Sequence, residues 1–142
     1  MPAYLTRRVA FAAAHRYRVE GWSDERNERV FGLCARPNYH GHSYTCDVTF
    51  TGEIDRTSGM LVDLAVVDQV LAAEVKDRFD HRNINLDVPE FADGKLVPTG
   101  ENLARFIFER VRAAMHDARL PVRVVEVTVA EDSTLSASFR EE

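Results

Sequence analysis

The chain has 142 residues, of which 45% are hydrophobic and 29% are charged, and its formal net charge is −5. This length suits one domain with its own core, so we predict a single domain over residues 1–142. The acidic balance argues against nucleic acid as the main partner, because phosphate backbones bind basic surfaces. No apolar run approaches the roughly 20 residues that span a bilayer. The first residues also lack the apolar core of a signal peptide, so we expect a cytoplasmic protein without a membrane partner.

The first predicted strand covers residues 5–15 and ends in a histidine. Its residues of one parity are apolar except for an arginine and that histidine: Leu5, Arg7, Val9, Phe11, Ala13 and His15. A single histidine at the end of a strand is more often a structural residue than a ligand. A charged connection over residues 16–38 follows, in which Ser23 is predicted to cap a short helix. Connections of this length are uncommon unless they build a site.

The second predicted strand, residues 40–51, begins with His40-Gly41-His42. Histidines two residues apart on a strand point to the same face, so both can reach one metal ion. Here that face is the apolar one, where buried imidazoles need partners. Catalytic zinc usually takes three protein ligands and keeps a fourth position open, so a third ligand has to come from elsewhere in the chain. Cys34 lies six residues before His40 in a polar loop, where a reactive thiolate is expected.

Two helices are predicted after the second strand. Asp63 caps a helix whose apolar residues repeat with a period of 3.6 and which ends near Asp80-His81. Thr99 caps the next helix, and Glu101 stands in its first turn, where a carboxylate suits the helix dipole. Capping alone accounts for Thr99 and Glu101, and a helix C-terminus accounts for Asp80-His81.

Two more strands, residues 122–131 and 135–139, complete the predicted fold. The first carries a row of valines, Val125, Val127 and Val129, that ends in Glu131. A carboxylate in that position is unusual, because a buried acid is costly without a partner. The order of elements predicts an α+β fold: a four-stranded antiparallel sheet, with two helices between strands 2 and 3 packed on one face. The open edges of such a sheet favour oligomerisation.

Read together, these motifs resemble a known family over nearly the whole chain. They are Phe11-Ala12-Ala13-Ala14-His15, Phe31-Gly32-x-Cys34, Pro37-Asn38, His40-Gly41-His42-Ser43-Tyr44, Gly52-Glu53-Ile54-Asp55, Gly59-Met60, Asp80-His81-Arg82-Asn83, Val88-Pro89, Phe91-Ala92, Pro98-Thr99-x-Glu101-Asn102 and Glu131. Their order and spacing are similar to those of the 6-pyruvoyl-tetrahydropterin synthase family, which includes the 6-carboxytetrahydropterin synthases of queuosine biosynthesis. Each motif alone is weak, but the ordered set is strongly specific.

The resemblance implies a role for each candidate residue. It assigns zinc to His15, His40 and His42, and catalytic proton transfer to Cys34 with Asp80 and His81. It makes Glu131 the anchor of the pterin ring, with Thr99 and Glu101 as secondary pocket residues. The implied substrate is 7,8-dihydroneopterin triphosphate. The implied fold is the tunnelling fold, in which trimers stack as a homohexamer and sites lie between subunits.

Three hypotheses about function stay open at this point. The six-residue spacing from Cys34 to His40 resembles the branch that releases triphosphate and forms 6-pyruvoyltetrahydropterin. The alternative is 6-carboxytetrahydropterin synthesis, which releases acetaldehyde and triphosphate from the same substrate. A third is a non-catalytic pterin-binding module with a structural zinc. That module is disfavoured because structural zinc is normally closed by four protein ligands. Cys34 as the fourth ligand would favour it.

Overall fold

The computed structural model describes residues 2–142. Its strands are β1 (Ala3–His15), β2 (His40–Gly52), β3 (Arg82–Asn83), β4 (Arg123–Asp132) and β5 (Leu135–Arg140). Its helices are α1 (Asp24–Phe31), α2 (Leu64–Leu71), α3 (Asp77–Phe79), α4 (Ile84–Asp87) and α5 (Gly100–Asp117). Ser23, Asp63 and Thr99 cap α1, α2 and α5 as predicted, and each side chain accepts a backbone hydrogen bond from the first turn.

The strands form one mixed sheet of five, in the order β3-β1-β2-β4-β5. The predicted four-stranded antiparallel sheet is therefore wrong in one respect. The additional strand, β3, pairs in parallel with β1 at Ala13 and Ala14, while the other pairs are antiparallel. A strand of two residues is too short to show a period of two, so the sequence pattern could not reveal it.

Alternation along β1 places its predicted row on the covered face, where Phe11, Ala13 and His15 are buried. The arginine in that row, Arg7, makes two hydrogen bonds of 2.8 and 2.9 Å to the Asp68 carboxylate on α2. A bidentate pair to the covering helix explains a cation on an otherwise apolar row.

The predicted valine row of β4 is interrupted. The register with β2 shifts between Thr49, paired with Glu126, and Phe50, paired with Val124. Val125 is thus an extra residue in a β-bulge, and Val124 replaces it in the core. Before the bulge the even-numbered residues of β4 are buried, and after it the odd-numbered residues are buried. From Val127 to Glu131 the row is as predicted, and Glu131 is buried at its end.

The helices cover one face of the sheet. α2 and α3 are joined by a π-helical segment, Ala72–Lys76, and α5 packs on β4 and β5. The predicted loop before α5 contains α4 and a 3-10 turn, Pro89–Phe91. Within residues 2–142, no helix has the length and apolar character needed to cross a membrane.

Candidate functional site

Three histidines meet at one end of the β1–β2 pair. The strand register places His15 opposite His40 and Ala13 opposite His42, so all three side chains lie on the covered face. The His15 ring centroid is 4.6 Å from that of His40 and 5.1 Å from that of His42. One potential ligand atom from each residue lies within 4.8 Å of the others, and among the described residues this is the one such group.

The hydrogen bonds of His15 determine which nitrogen can bind a metal. Its Nδ1 lies 2.8 Å from the Pro98 carbonyl oxygen, which only accepts, so Nδ1 carries the proton. The lone pair is then on Nε2, and the Tyr44 hydroxyl lies 3.1 Å from Nδ1 and 3.2 Å from Nε2. A carbonyl behind a metal-binding imidazole is the usual way to set its tautomer. Burial lowers the pKa of His15 to about 4, so the ring is neutral and its lone pair is free near pH 7.

His40 and His42 complete the group. Burial is the main cause of a lowered pKa at His40, and the neighbouring His42 acts in the same direction. The His42 Nε2 atom is buried and has no hydrogen-bond partner within residues 2–142. An unpartnered buried nitrogen is costly, and a metal ion shared with the other two imidazoles would satisfy it. Three imidazoles fit a zinc ion by donor type and number.

Glu131 lies beside this group. Its carboxylate is 3.8 Å from His15 Nε2 through Oε1 and 3.7 Å from His42 Nε2 through Oε2, and its side chain is 8% exposed. The Tyr17 hydroxyl donates a hydrogen bond of 2.7 Å to Oε1. The buried acid therefore has a partner inside the chain, and Oε2 remains available to accept from a ligand.

Tyr17 is a site residue that the sequence analysis missed. Its backbone N–H donates to the Cys34 carbonyl at 2.7 Å, and its ring packs edge-on against His15 at 5.1 Å. It thereby joins three candidate residues, His15, Cys34 and Glu131. Its only sequence signal is an aromatic residue two positions after a candidate ligand, which is too common to be informative.

Cys34 lies in a 3-10 turn, Gly32–Ala35, directly after α1. Gly32 permits that change of direction, because its φ of +61° is strained for other residues. Buried Asn27 ties α1 to the connection before it, by accepting from the Val19 N–H at 2.8 Å and donating to the Val19 carbonyl at 3.1 Å. Burial raises the pKa of the Cys34 thiol, and the negative charge of Glu131 raises it further. The thiol is thus protonated near neutral pH unless a cation approaches it, in contrast to the thiolate expected from its polar loop.

Asp80 and His81 form a pair that does not contact Cys34 through a hydrogen bond or ion pair within the described residues. Asp80 Oδ1 accepts from the Ala12 N–H at 2.9 Å, and its Oδ2 is 3.0 Å from His81 Nδ1. The Ala12 N–H and the His81 imidazole lower the pKa of Asp80. His81 adopts a positive φ of +59° and is 84% exposed. Within residues 2–142, no hydrogen bond or ion pair joins this pair to Cys34.

Thr99 and Glu101 occupy the start of α5. The Thr99 hydroxyl accepts from the Asn102 N–H at 3.1 Å, which is the capping role. Glu101 is exposed and shares with Tyr17 and Glu131 the lining of a cavity of about 20 Å³. A cavity of this volume holds about one water molecule, so a pterin ring does not fit inside it.

Comparison with known proteins places these residues in a family. A family model described as 6-pyruvoyl tetrahydropterin synthase matches residues 4–142. The human protein named 6-pyruvoyl tetrahydrobiopterin synthase is 40% identical over 113 residues, which are 80% of this chain and 77% of that protein. A Bacillus subtilis protein named 6-carboxy-5,6,7,8-tetrahydropterin synthase is 32% identical over 111 residues, which are 77% of this chain and 71% of that protein.

The fold agrees with this placement. The solved structure of Caenorhabditis elegans 6-pyruvoyl tetrahydropterin synthase superposes with a TM-score of 0.90 at 34% identity. The match covers 100% of this chain and 97% of that one. The α+β fold, the extent of the matched sequence and the named relatives agree, and the chain belongs to the 6-pyruvoyl tetrahydropterin synthase family of pterin synthases.

Proposed function

We propose that the protein is a zinc-dependent lyase that converts 7,8-dihydroneopterin triphosphate, with loss of triphosphate, to 6-pyruvoyltetrahydropterin. One observation carries the proposal: three imidazoles, one with an unpartnered buried nitrogen, lie beside the buried carboxylate of Glu131. A metal-binding group next to a carboxylate that can recognise N–H donors suits a substrate that carries hydroxyl groups on a pterin ring.

His15, His40 and His42 would hold the metal ion. Their donor set leaves a coordination position for substrate, as in catalytic zinc sites. Bound zinc would supply Lewis acidity to the substrate hydroxyls. The Pro98 carbonyl keeps His15 Nε2 directed toward the other two rings, so this part of the site is organised by the chain itself.

Cys34 would exchange protons with the substrate side chain. The raised pKa of its thiol means that Sγ needs a partner to accept its proton. We assign that role to His81, with Asp80 holding the imidazole by its contact with Nδ1 at 3.0 Å. Because the pair does not contact Cys34 in its own chain and His81 is exposed, a second copy would supply it. This supports the proposal of a homo-oligomer, a hexamer of two stacked trimers, with sites between chains.

Glu131 would anchor the pterin ring. A carboxylate can accept two parallel hydrogen bonds from a ring N–H and an amino group, which gives specificity for that edge of the ring. Thr99 and Glu101 would form secondary contacts from the start of α5. The cavity beside Glu131 is too small for the ring, so the remaining walls of the pterin pocket would also come from a second copy.

The same site could form 6-pyruvoyltetrahydropterin or 6-carboxytetrahydropterin, and the identity of the product distinguishes the two reactions. Identity is higher to the human relative, at 40%, than to the Bacillus relative, at 32%, which favours the pyruvoyl reaction. The test is to incubate the zinc-loaded protein with 7,8-dihydroneopterin triphosphate and identify products by mass spectrometry. We expect 6-pyruvoyltetrahydropterin and triphosphate. 6-Carboxytetrahydropterin with acetaldehyde would assign the protein to the alternative and to queuosine biosynthesis, and recovery of unchanged substrate would leave a pterin-binding module.

A further inference from the structure

We propose that the cavity beside the Cys34 turn is a phosphate subsite, in which Arg16 and Arg36 bind the polyphosphate chain of the substrate. The cavity has a volume of about 800 Å³, and its lining includes Arg16, Arg18 and Arg36. This inference rests on the proposed function, because it assigns a location to the leaving triphosphate of that substrate.

Several residues that line the cavity are sequence neighbours of candidate site residues. Arg16 directly follows the candidate ligand His15, and Gly32, Ala35 and Arg36 surround the position of Cys34. A substrate whose hydroxyl groups lie at the histidines would direct the far end of its side chain toward one of the openings around them. This cavity carries the cationic side chains that such an end requires.

Arg16 is held in place yet lacks an anionic partner. Its backbone N–H donates to Asn85 Oδ1 at 2.9 Å, and its carbonyl accepts from Asn85 Nδ2 at 3.0 Å. Its guanidinium lies 5.6 Å from the ring centroid of Tyr39. The Nε atom is buried without a hydrogen-bond partner, and Arg16 forms no ion pair within residues 2–142. A positioned, partly buried guanidinium with an unpartnered N–H is suited to accept a ligand anion.

Arg36 lines the same cavity. The Tyr39 N–H donates to the Arg36 carbonyl at 3.4 Å, so the turn that carries Arg36 is tied to the ring beneath Arg16. Arg36 is exposed and also forms no ion pair with any described residue. Two unpaired arginines that line one cavity can contact neighbouring phosphate groups, which one arginine cannot neutralise alone.

The acidic residues of the cavity lining leave only some of its arginines available for a phosphate. Arg18 donates to Asp24 at 2.8 Å and lies 3.8 Å from Glu20, so its charge is already compensated. The remaining carboxylates of the lining are Glu28 and Asp93. Because like charges repel and Arg18 is already paired, a polyphosphate would bind at the two arginines that have no acidic partner, Arg16 and Arg36.

The test measures the binding of inorganic tripolyphosphate to the zinc-loaded protein by calorimetry. Arg16→Gln and Arg36→Gln should each weaken binding about 10- to 100-fold, the range for losing a hydrogen bond to a charged group. Arg29→Gln is the matched control, because Arg29 is an exposed arginine of α1 outside the cavity lining. Neopterin, which lacks phosphate, should bind the variants as it binds the parent protein, and zinc should be retained after titration.

Two results would overturn the subsite. One is no measurable binding of tripolyphosphate to the parent protein. The other is equal affinity in the parent, Arg16→Gln and Arg36→Gln proteins, which would place the anion elsewhere. The outcome is separable from that of the proposed function. Arginine-dependent binding of tripolyphosphate without turnover of 7,8-dihydroneopterin triphosphate would uphold the subsite and reject the reaction. Normal turnover with an unchanged KM in both variants would uphold the reaction and reject the subsite.

Discussion

The Tyr17 hydroxyl donates a hydrogen bond of 2.7 Å to Glu131 Oε1, joining residues 114 positions apart. Because Oε1 has this partner, the carboxylate is held in one orientation, with Oε2 facing His42. Tyr17 therefore prepares Glu131 for a ligand without being one of the three candidate metal ligands. The same tyrosine also supports the Cys34 turn through its backbone N–H.

Tyr17→Phe should weaken pterin binding while leaving zinc content unchanged. Loss of a hydrogen bond to a buried carboxylate costs about 1–3 kcal/mol, so neopterin affinity measured by fluorescence should fall. A double-mutant cycle with Glu131→Gln checks the route, because a residue that acts through Glu131 should lose most of its effect when that carboxylate is gone. Tyr4→Phe, at an exposed site on β1, is the control. Equal effects of Tyr17→Phe with and without Glu131 would contradict the positioning role.

Glu131→Gln should bind pterin about 10- to 100-fold more weakly, because an amide replaces one accepting oxygen with a donor and removes the charge. Zinc measured by atomic absorption should stay stoichiometric, since Glu131 lies 3.7 Å or more from the histidine nitrogens and is not counted among the ligands. Unchanged pterin affinity would rule out Glu131 as the anchor.

Cys34→Ala should retain zinc and lose turnover. The thiol belongs to the turn after α1, whereas the three imidazoles come from β1 and β2, so removing Sγ leaves the metal-binding group complete. Zinc content and product formation are measured on the same preparation. Cys46→Ala is a control for the loss of a thiol away from the site, although its buried position will cost some stability. Loss of zinc from Cys34→Ala would make the cysteine a ligand.

His40→Ala should lose stoichiometric zinc, because two imidazoles hold zinc less tightly than three. His116→Ala provides the control, since His116 is 91% exposed at the end of α5. Metal content after dialysis is the measurement. A variant that kept one zinc per chain would refute the set of His15, His40 and His42.

The metal-free protein should lose stability as the pH falls from about 6.5 to about 4. The pKa of His15 is about 4 in the folded chain and has its ordinary value of 6.5 in the unfolded chain, so the unfolded chain takes up the proton first. The loss amounts to roughly 3 kcal/mol at this one residue, and the lowered pKa of His40 acts in the same direction. Urea denaturation at pH 7 and pH 5 measures it. His15→Gln should show a shallower pH dependence, and equal slopes in both proteins would exclude His15 as the cause.

Much of this arrangement was predictable from local patterns. A period of two on β1 and β2 places His15, His40 and His42 on one covered face, and the capping residues Ser23, Asp63 and Thr99 locate three helix starts. These features depend on the pleat of a strand and on the unpaired N–H groups of a first helical turn, which are properties of a few neighbouring residues. The chemical type of the metal-binding group is therefore contained in the sequence by itself.

Other features were decided only by contacts between distant segments. The partner of Glu131 is Tyr17, the backbone of Arg16 is held by Asn85, and the bulge at Val125 sets which valines are buried. The additional strand, β3, lies beside β1 because the Asp80-His81 turn forms hydrogen bonds with the backbone of Ala12. No local period encodes such pairs, since they depend on strand register and on which loops pack together. The sequence by itself determined three histidines on one face, and the tertiary fold decided that a tyrosine-held carboxylate lies beside them while Asp80 and His81 do not contact Cys34.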